Sequence, residues 1–251
     1  MRTAGGSVII LDAGTGIRRL GATLAEGGRV DILLSHLHTD HIQGLGFFAP
    51  LYERDRELHI WGPRSAGMDL RARLTRYLSA PLFPVNLREL PSRLALHDAP
   101  LGEFEIDGTR IGTDLVLHPG PTLGYRVSEA GATRVYLSDH EPALGYARLP
   151  DAAAWTSGYA LAQGADLLIH DSQYTDEEYQ SHLGWGHSSM SQAIAFGRLA
   201  RVQKLVTFHH DPGHYDAELD DLHTRAQQEV DRDFELIPGT EGLSITVNAR
   251  R

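Results

Sequence analysis

Four side chains able to hold a metal ion fall within six residues of the stretch Ser35-His36-Leu37-His38-Thr39-Asp40-His41. Imidazole and carboxylate together suit Zn²⁺, Mn²⁺ or Fe. His36 and His38, two residues apart, can point at one ion, while Asp40 and His41 turn toward a neighbouring one, so the stretch can hold half of a binuclear site. The competing reading is a solvated loop in a chain that has 14 His among 251 residues. Four correctly typed ligands at this spacing outweigh it, because a lone histidine is a weak signal and such a run is a strong one.

These ligands need an element to present them. Val30-Asp31-Ile32-Leu33-Leu34 reads as a strand, and Gln43 to Phe48 can begin a short helix, so the ligands are placed on a loop at a strand end. Other predicted strands end in the same way. Ser7 to Leu11 runs into Asp12 and a glycine-rich turn, with a helix from Ile17; as a common turn former or cap, Asp12 has a bland reading too. Leu115 to Val127 is read as a strand ending at His118, a Pro/Gly turn and a strand starting at Gly124. Arg134 to Leu137 leads to Asp139, Asp166 to His170 to Asp171, and Lys204 to Phe208 to His209, His210 and Asp211. Asp171 reads equally as a turn former and as a hydrogen-bonding partner of the ligands. His187 precedes a predicted helix from Met190 to Ala200 that Ser188 or Ser189 would cap.

The remaining segments read as scaffold. Glu57 to Trp61, Arg93 to His97 and Phe104 to Ile106 have strand character, and Leu243 to Val247 is expected to be a closing strand. Ser65 to Leu78 is expected to be a helix with Arg71, Arg73 and Arg76 toward water, broken by Pro81 and Pro84. Their alternative role is to hold an anionic substrate. Thr175 to Gln180 and Tyr215 to Val230 read as polar helices, and His59 and His97, without ligand-like neighbours, as structural.

Composition narrows the function. The chain is long enough for a sizeable core, has no linker-like tract and reads as a single domain over 1–251. A formal charge of −10 speaks against a broad nucleic-acid footprint. No cysteine is present, so thiolate sites and disulfides are excluded. No apolar run reaches membrane-spanning length and no signal-peptide pattern opens the chain, which leads to the expectation of a cytoplasmic protein; a homodimer is compatible with the sequence.

The motif His-Leu-His-Thr-Asp-His matches the HxHxDH signature of the metallo-β-lactamase superfamily. The further segments LDAGTG, HPGPTLGYR, the strand ending in Asp139, GHSS and the late strand ending in His209 resemble its phosphodiesterase branch over about residues 7 to 215. That branch includes tRNA 3′-processing endonucleases, the cyclic phosphodiesterase of phosphonate breakdown and cyclic-nucleotide phosphodiesterases. The resemblance implies an α/β protein: an αββα four-layer sandwich of two mixed sheets with helices outside. In the family a further strand precedes the Asp12 segment, which leaves this chain expected to lack an edge strand or to be truncated. The resemblance also implies His36, His38, His118 and Asp139 around one ion and Asp40, His41, Asp139 and His209 around the other, with Asp139 bridging. Asp12, Asp171, His210 and Asp211 would lie behind the ligands, and His187 would donate a proton or hold the phosphate. Asp40 and His187 are thus the candidate catalytic residues.

Two Zn or Mn ions at such a site can lower the pKa of a water toward neutrality and stabilise charge on a phosphoryl or carbonyl oxygen. The expected function is a phosphodiesterase acting on a small, or cyclic, nucleotide or related diester. The tRNA enzymes of the branch insert a basic arm between the third His and the bridging Asp; only 20 residues separate His118 from Asp139, with no basic cluster among them. A tRNA endonuclease, a lactone or carboxyl-ester hydrolase on the same metals, and a non-catalytic metal-binding protein are the alternatives.

Overall fold

The β-branched and leucine-rich runs form strands close to where the sequence predicts them. In the computed structural model, which describes residues 1–3, 5–143, 145–146, 149, 152–230 and 233–248, the chain gathers into two units, Met1–Thr109 and Arg110–Arg251.

The first unit runs β1 (Val8–Leu11), α1 (Ile17–Gly21), β2 (Arg29–Leu33), α2 (Thr39–Ile42), β3 (Glu57–Gly62), α3 (Leu70–Tyr77), β4 (Arg93–Asp98) and β5 (Gly102–Ile106). Strands β1 to β4 form a sheet in sequence order, and every pair is parallel. This corrects the expectation of two mixed sheets. Alternate residues Val8, Ile10, Val30, Ile32, Leu58 and Ile60 pack in one cluster with Ile17, Leu45, Phe48, Leu70 and Leu74, which fixes register because a one-residue slip would turn this apolar set to the other face. The helix expected from Ser65 starts only at Leu70, where Asp69 accepts a hydrogen bond from Ala72 N at 2.7 Å and caps it. Of its three arginines, Arg71 and Arg76 face solvent. Arg73 instead donates to Pro63 O at 2.6 Å and lies 3.8 Å from Asp98. His59 and His97, read as having no ligand-like neighbours, meet each other, with His59 Nδ1 2.8 Å from His97 Nε2, and His59 Nε2 lies 2.9 Å from Glu57 Oε1.

The second unit runs through β6 (Thr109–Leu115), β7 (Leu123–Glu129), β8 (Ala132–Leu137), α4 (Tyr159–Ala162), β9 (Leu167–Asp171), α5 (Asp176–Ser181), α6 (Met190–Ala200), β10 (Lys204–Phe208), α7 (Asp216–Val230) and β11 (Glu235–Pro238). Its strands lie in the order β11-β10-β9-β8-β7-β6. β6, β7 and β8 pair antiparallel and the rest parallel, so this sheet is mixed as expected. Its core joins Val135, Leu137, Leu168 and Leu205 to Ile194, Phe196 and Val230 of α6 and α7. The closing strand expected at Leu243 to Val247 does not form. Those residues are largely exposed, and the place beside β10 belongs to Glu235–Pro238, which is anchored by buried Phe234 and Leu236.

Parallel register explains where the polar residues emerge. Leu11 pairs with Leu33, so Asp12 and the 35–41 stretch leave the same edge of the first sheet. In the second unit Leu137 pairs with His170 and Asp171 with Phe208, which brings Asp139, Asp171 and His209 to one edge. The carboxyl end of a parallel sheet is where open α/β folds place their ligands.

Candidate functional site

In the first unit, Asp12 organises the ligand stretch. Its Oδ1 accepts from Ser35 N at 2.6 Å, and its Oδ2 accepts from Ser35 Oγ at 2.7 Å and meets His41 Nδ1 at 2.8 Å. An ionised carboxylate only accepts, so His41 carries its proton on Nδ1 and directs Nε2 away as the atom that could hold a metal. The same reasoning extends to His36. Ser35 Oγ spends its proton on Asp12 and accepts from His36 Nδ1 at 3.0 Å, which again assigns Nε2 to a ligand. Asp12 is therefore more than a turn former. It occupies the left-handed region with φ 57°, a conformation that Asp tolerates better than most residues.

Backbone proximity holds the stretch in place. Ala13 N donates to His41 O at 2.7 Å and Gly44 N to Ala13 O at 2.8 Å. A Cβ on Gly44 would come within 2.0 Å of Gly14 O, and one on Gly14 within 2.7 Å of Asp40 O, so both positions require glycine. Contrary to the loop expected, the second half of the motif is helical: α2 starts at Thr39. His36 and His41 are buried and His38 and Asp40 exposed. The His36 ring centroid is 4.4 Å from that of His38 and 4.3 Å from that of His41, and Asp40 Oδ2 is 3.0 Å from His41 Nε2.

In the second unit, His118 lies three residues beyond β6 and not at the strand end predicted. Its Nδ1 donates to Gly186 O at 3.0 Å, leaving Nε2 for a ligand. That Nε2 is 3.7 Å from Asp139 Oδ2, and His209 Nε2 is 3.5 Å from the same oxygen. Both separations exceed hydrogen-bonding range. They approach the about 3.4 Å that separates two atoms each about 2.1 Å from one tetrahedral ion. The donor set fits divalent Zn or Mn, being imidazole nitrogen and carboxylate oxygen throughout. His209 follows β10 directly, with φ 60°, and it, not His210, contributes to the gathered ligand-type atoms.

His187 is held from behind. Its Nδ1 donates to Asp171 Oδ2 at 2.7 Å, and its ring stacks on His209 at 5.1 Å with an interplanar angle of 8°. One ligand-type atom from each of His118, Asp139 and His187 lies within 4.8 Å of the others. Asp171, fully buried, also accepts from His140 N, Gln173 N and Ser188 N. Both readings left by the sequence have a counterpart here: Oδ1 accepts from Gln173 N two residues on, as a turn former does, and Oδ2 holds His187. Asp211 touches Gln173 and Gly213. His210 has its pKa lowered by burial above all.

Three further residues were not assigned roles from sequence. Glu141 is completely buried and accepts four hydrogen bonds. His140 and His170 are completely buried as a pair, Nδ1 to Nε2 at 3.0 Å, with His170 Nδ1 donating to Asp171 O at 2.6 Å. Burial lowers both pKa values from the usual 6.5, His140 by much the more. A histidine with a depressed folded-state pKa contributes stability above its unfolded pKa and loses it as pH falls below that value. The unfolding free energy of chelator-treated protein is therefore expected to decline from pH 7 toward pH 5, above the range in which carboxylates titrate. Urea titrations at several pH values check this, and a flat profile refutes it.

Comparison with known proteins identifies the family. A family model described as "Beta-lactamase superfamily domain" matches residues 8–210. Ribonuclease Z of Thermococcus gammatolerans is 28% identical over 249 residues, covering 81% of this chain and 75% of that protein. Human tRNase Z, short form, superposes with a TM-score of 0.68 at 22% identity over 98% of this chain and 90% of its own. The metallo-beta-lactamase fold protein YhfI of Bacillus subtilis superposes with a TM-score of 0.67 at 19% identity over 94% and 85%. These likenesses show the fold expected from the sequence.

Proposed function

The chain belongs to the beta-lactamase superfamily, and from that premise we propose that this metal-dependent hydrolase of phosphodiesterase type cleaves a small phosphodiester. In this reading His36, His38, Asp40, His41, His118, Asp139 and His209 hold two divalent ions. When bound, such ions activate water and neutralise charge gathering on the phosphoryl oxygens. The observation that carries the phosphodiester reading is His187, fixed by Asp171 at 2.7 Å and close to His118 and Asp139. With Nδ1–H committed to Asp171, Nε2 is the atom that faces the substrate; in the imidazolium form, protonated on both nitrogens, it gives its proton to a leaving alkoxide or holds a phosphoryl oxygen. Asp12 fixes the tautomers of His36 and His41, and Gly186 O fixes that of His118.

A small substrate is favoured by the chain between His118 and Asp139. The hairpin of β7 and β8 takes up Leu123–Leu137, turning at Ala130 and Gly131, which leaves no inserted arm for RNA there. The formal charge of −10 points the same way. A second reading, cleavage of RNA at a 3′ extension, is supported by the similarity to ribonuclease Z.

Reconstitution with Zn²⁺ or Mn²⁺, elemental analysis and a substrate panel test the proposal. Bis(p-nitrophenyl) phosphate and a small or cyclic nucleotide diester are expected to turn over faster than a 3′-extended tRNA precursor or a lactone, with two ions per chain. A precursor cleaved in preference establishes the second reading. Lactone turnover alone, or no turnover by protein carrying both ions, rejects the phosphodiesterase proposal.

A further inference from the structure

The side chain of Glu141 is 0% exposed and has no cationic hydrogen-bond partner among the described residues. A buried carboxylate is tolerated only when its oxygens are satisfied. Oε1 accepts from Gly184 N at 2.9 Å, Gly145 N at 3.0 Å and Tyr179 Oη at 2.7 Å, and Oε2 accepts from Gly186 N at 2.8 Å. Burial and the bond to Glu141 raise the pKa of Tyr179, keeping its hydroxyl a donor.

Two of those donors belong to the segment that touches the chemistry. Gly186, with φ +89°, presents its carbonyl to His118 Nδ1, and a Cβ there would lie 2.6 Å from that same nitrogen. The next residue is His187. Glu141 N also donates to Leu117 O at 3.0 Å, immediately before His118. One residue thus joins the two segments, its backbone N–H holding the chain that leads to His118 and its carboxylate holding the loop that orients the His118 ring and delivers His187.

We propose that Glu141 is a positioning residue, holding the Gly184–Gly186 segment so that His118 keeps its ligand tautomer and His187 stands at the leaving group. This rests on the phosphodiesterase reading for the second half of the statement only. The anchoring itself is independent of substrate and of bound metal.

Glu141→Gln preserves volume but turns an amide NH₂ toward backbone N–H donors. In metal-free protein, hydrogen exchange at residues 183–187 is expected to speed up by about tenfold or more, the effect of losing a hydrogen bond to a charged group. Exchange in α6 should be unchanged. In reconstituted protein, kcat is expected to fall by about 10- to 100-fold for a nucleotide diester and less for bis(p-nitrophenyl) phosphate, the pattern of a misplaced proton donor. Unchanged exchange at 183–187, or equal losses on the two substrates, overturns the proposal. Wild-type protein that hydrolyses no phosphodiester, together with faster exchange in Glu141→Gln, supports the anchor and rejects the phosphodiesterase reading. Should Glu141→Gln not fold, Tyr179→Phe removes one donor from the same oxygen. A rise in exchange of about threefold at 183–187 then supports the anchor, and no rise overturns it.

Discussion

Asp139→Ala is expected to reduce phosphodiester hydrolysis to background and to release divalent metal, whereas Asp12→Asn lowers activity by about 10- to 100-fold and keeps the metal bound at saturating concentration. The difference follows from what each carboxylate touches. Asp139 Oδ2 faces both His118 Nε2 and His209 Nε2 at distances suited to shared ligation. Asp12 acts through protons, setting His41 directly and His36 by way of Ser35. Asparagine is the appropriate replacement at residue 12 because its φ of 57° would strain alanine. Elemental analysis and steady-state rates on variants matched by circular dichroism decide the matter. Equal losses of rate and metal in the two variants would refute the assignment of Asp139 as the shared ligand.

The residues proposed as ligands stood out in the sequence because the strongest part of the signal is local. His36, His38, Asp40 and His41 form one short run, and the strands that carry Asp12, Asp139, Asp171 and His209 announce themselves by β-branched composition and abrupt polar endings. Register then does what composition cannot, bringing Asp139, Asp171 and His209 to one sheet edge. Glu141 was not legible in this way. Its donors Gly184 and Gly186 lie 43 and 45 residues away, and no local pattern distinguishes a buried carboxylate that binds backbone from a solvated one. His140 and His170 are hidden for the same reason, since His140, three residues beyond β8, meets its partner on β9 only 30 residues later in the chain. Leu243 to Val247 erred in the opposite direction. Alternation there has the period of a strand, yet those residues are largely exposed and the place beside β10 is taken by β11.

His187→Ala is expected to lower kcat by about 10² to 10⁴ for a nucleotide diester, the usual contribution of a positioned proton donor. The loss should be smaller for bis(p-nitrophenyl) phosphate, because p-nitrophenolate departs without needing a proton. Folding should survive the change. Asp171 loses one of its contacts but retains the backbone N–H groups of His140, Gln173 and Ser188, so the buried charge stays hydrogen-bonded. Metal content should also be unchanged, since the proposed ligands do not include His187. Its proximity to His118 and Asp139 makes that measurement decisive. A variant that loses metal identifies His187 as a ligand, while equal rate losses on the two substrates reduce it to a binding or structural residue. Asp171→Asn provides the internal comparison. If the carboxylate acts by fixing the His187 proton on Nδ1, this variant should show the same leaving-group dependence as His187→Ala at smaller amplitude, and in the double variant the two losses should fall short of multiplying.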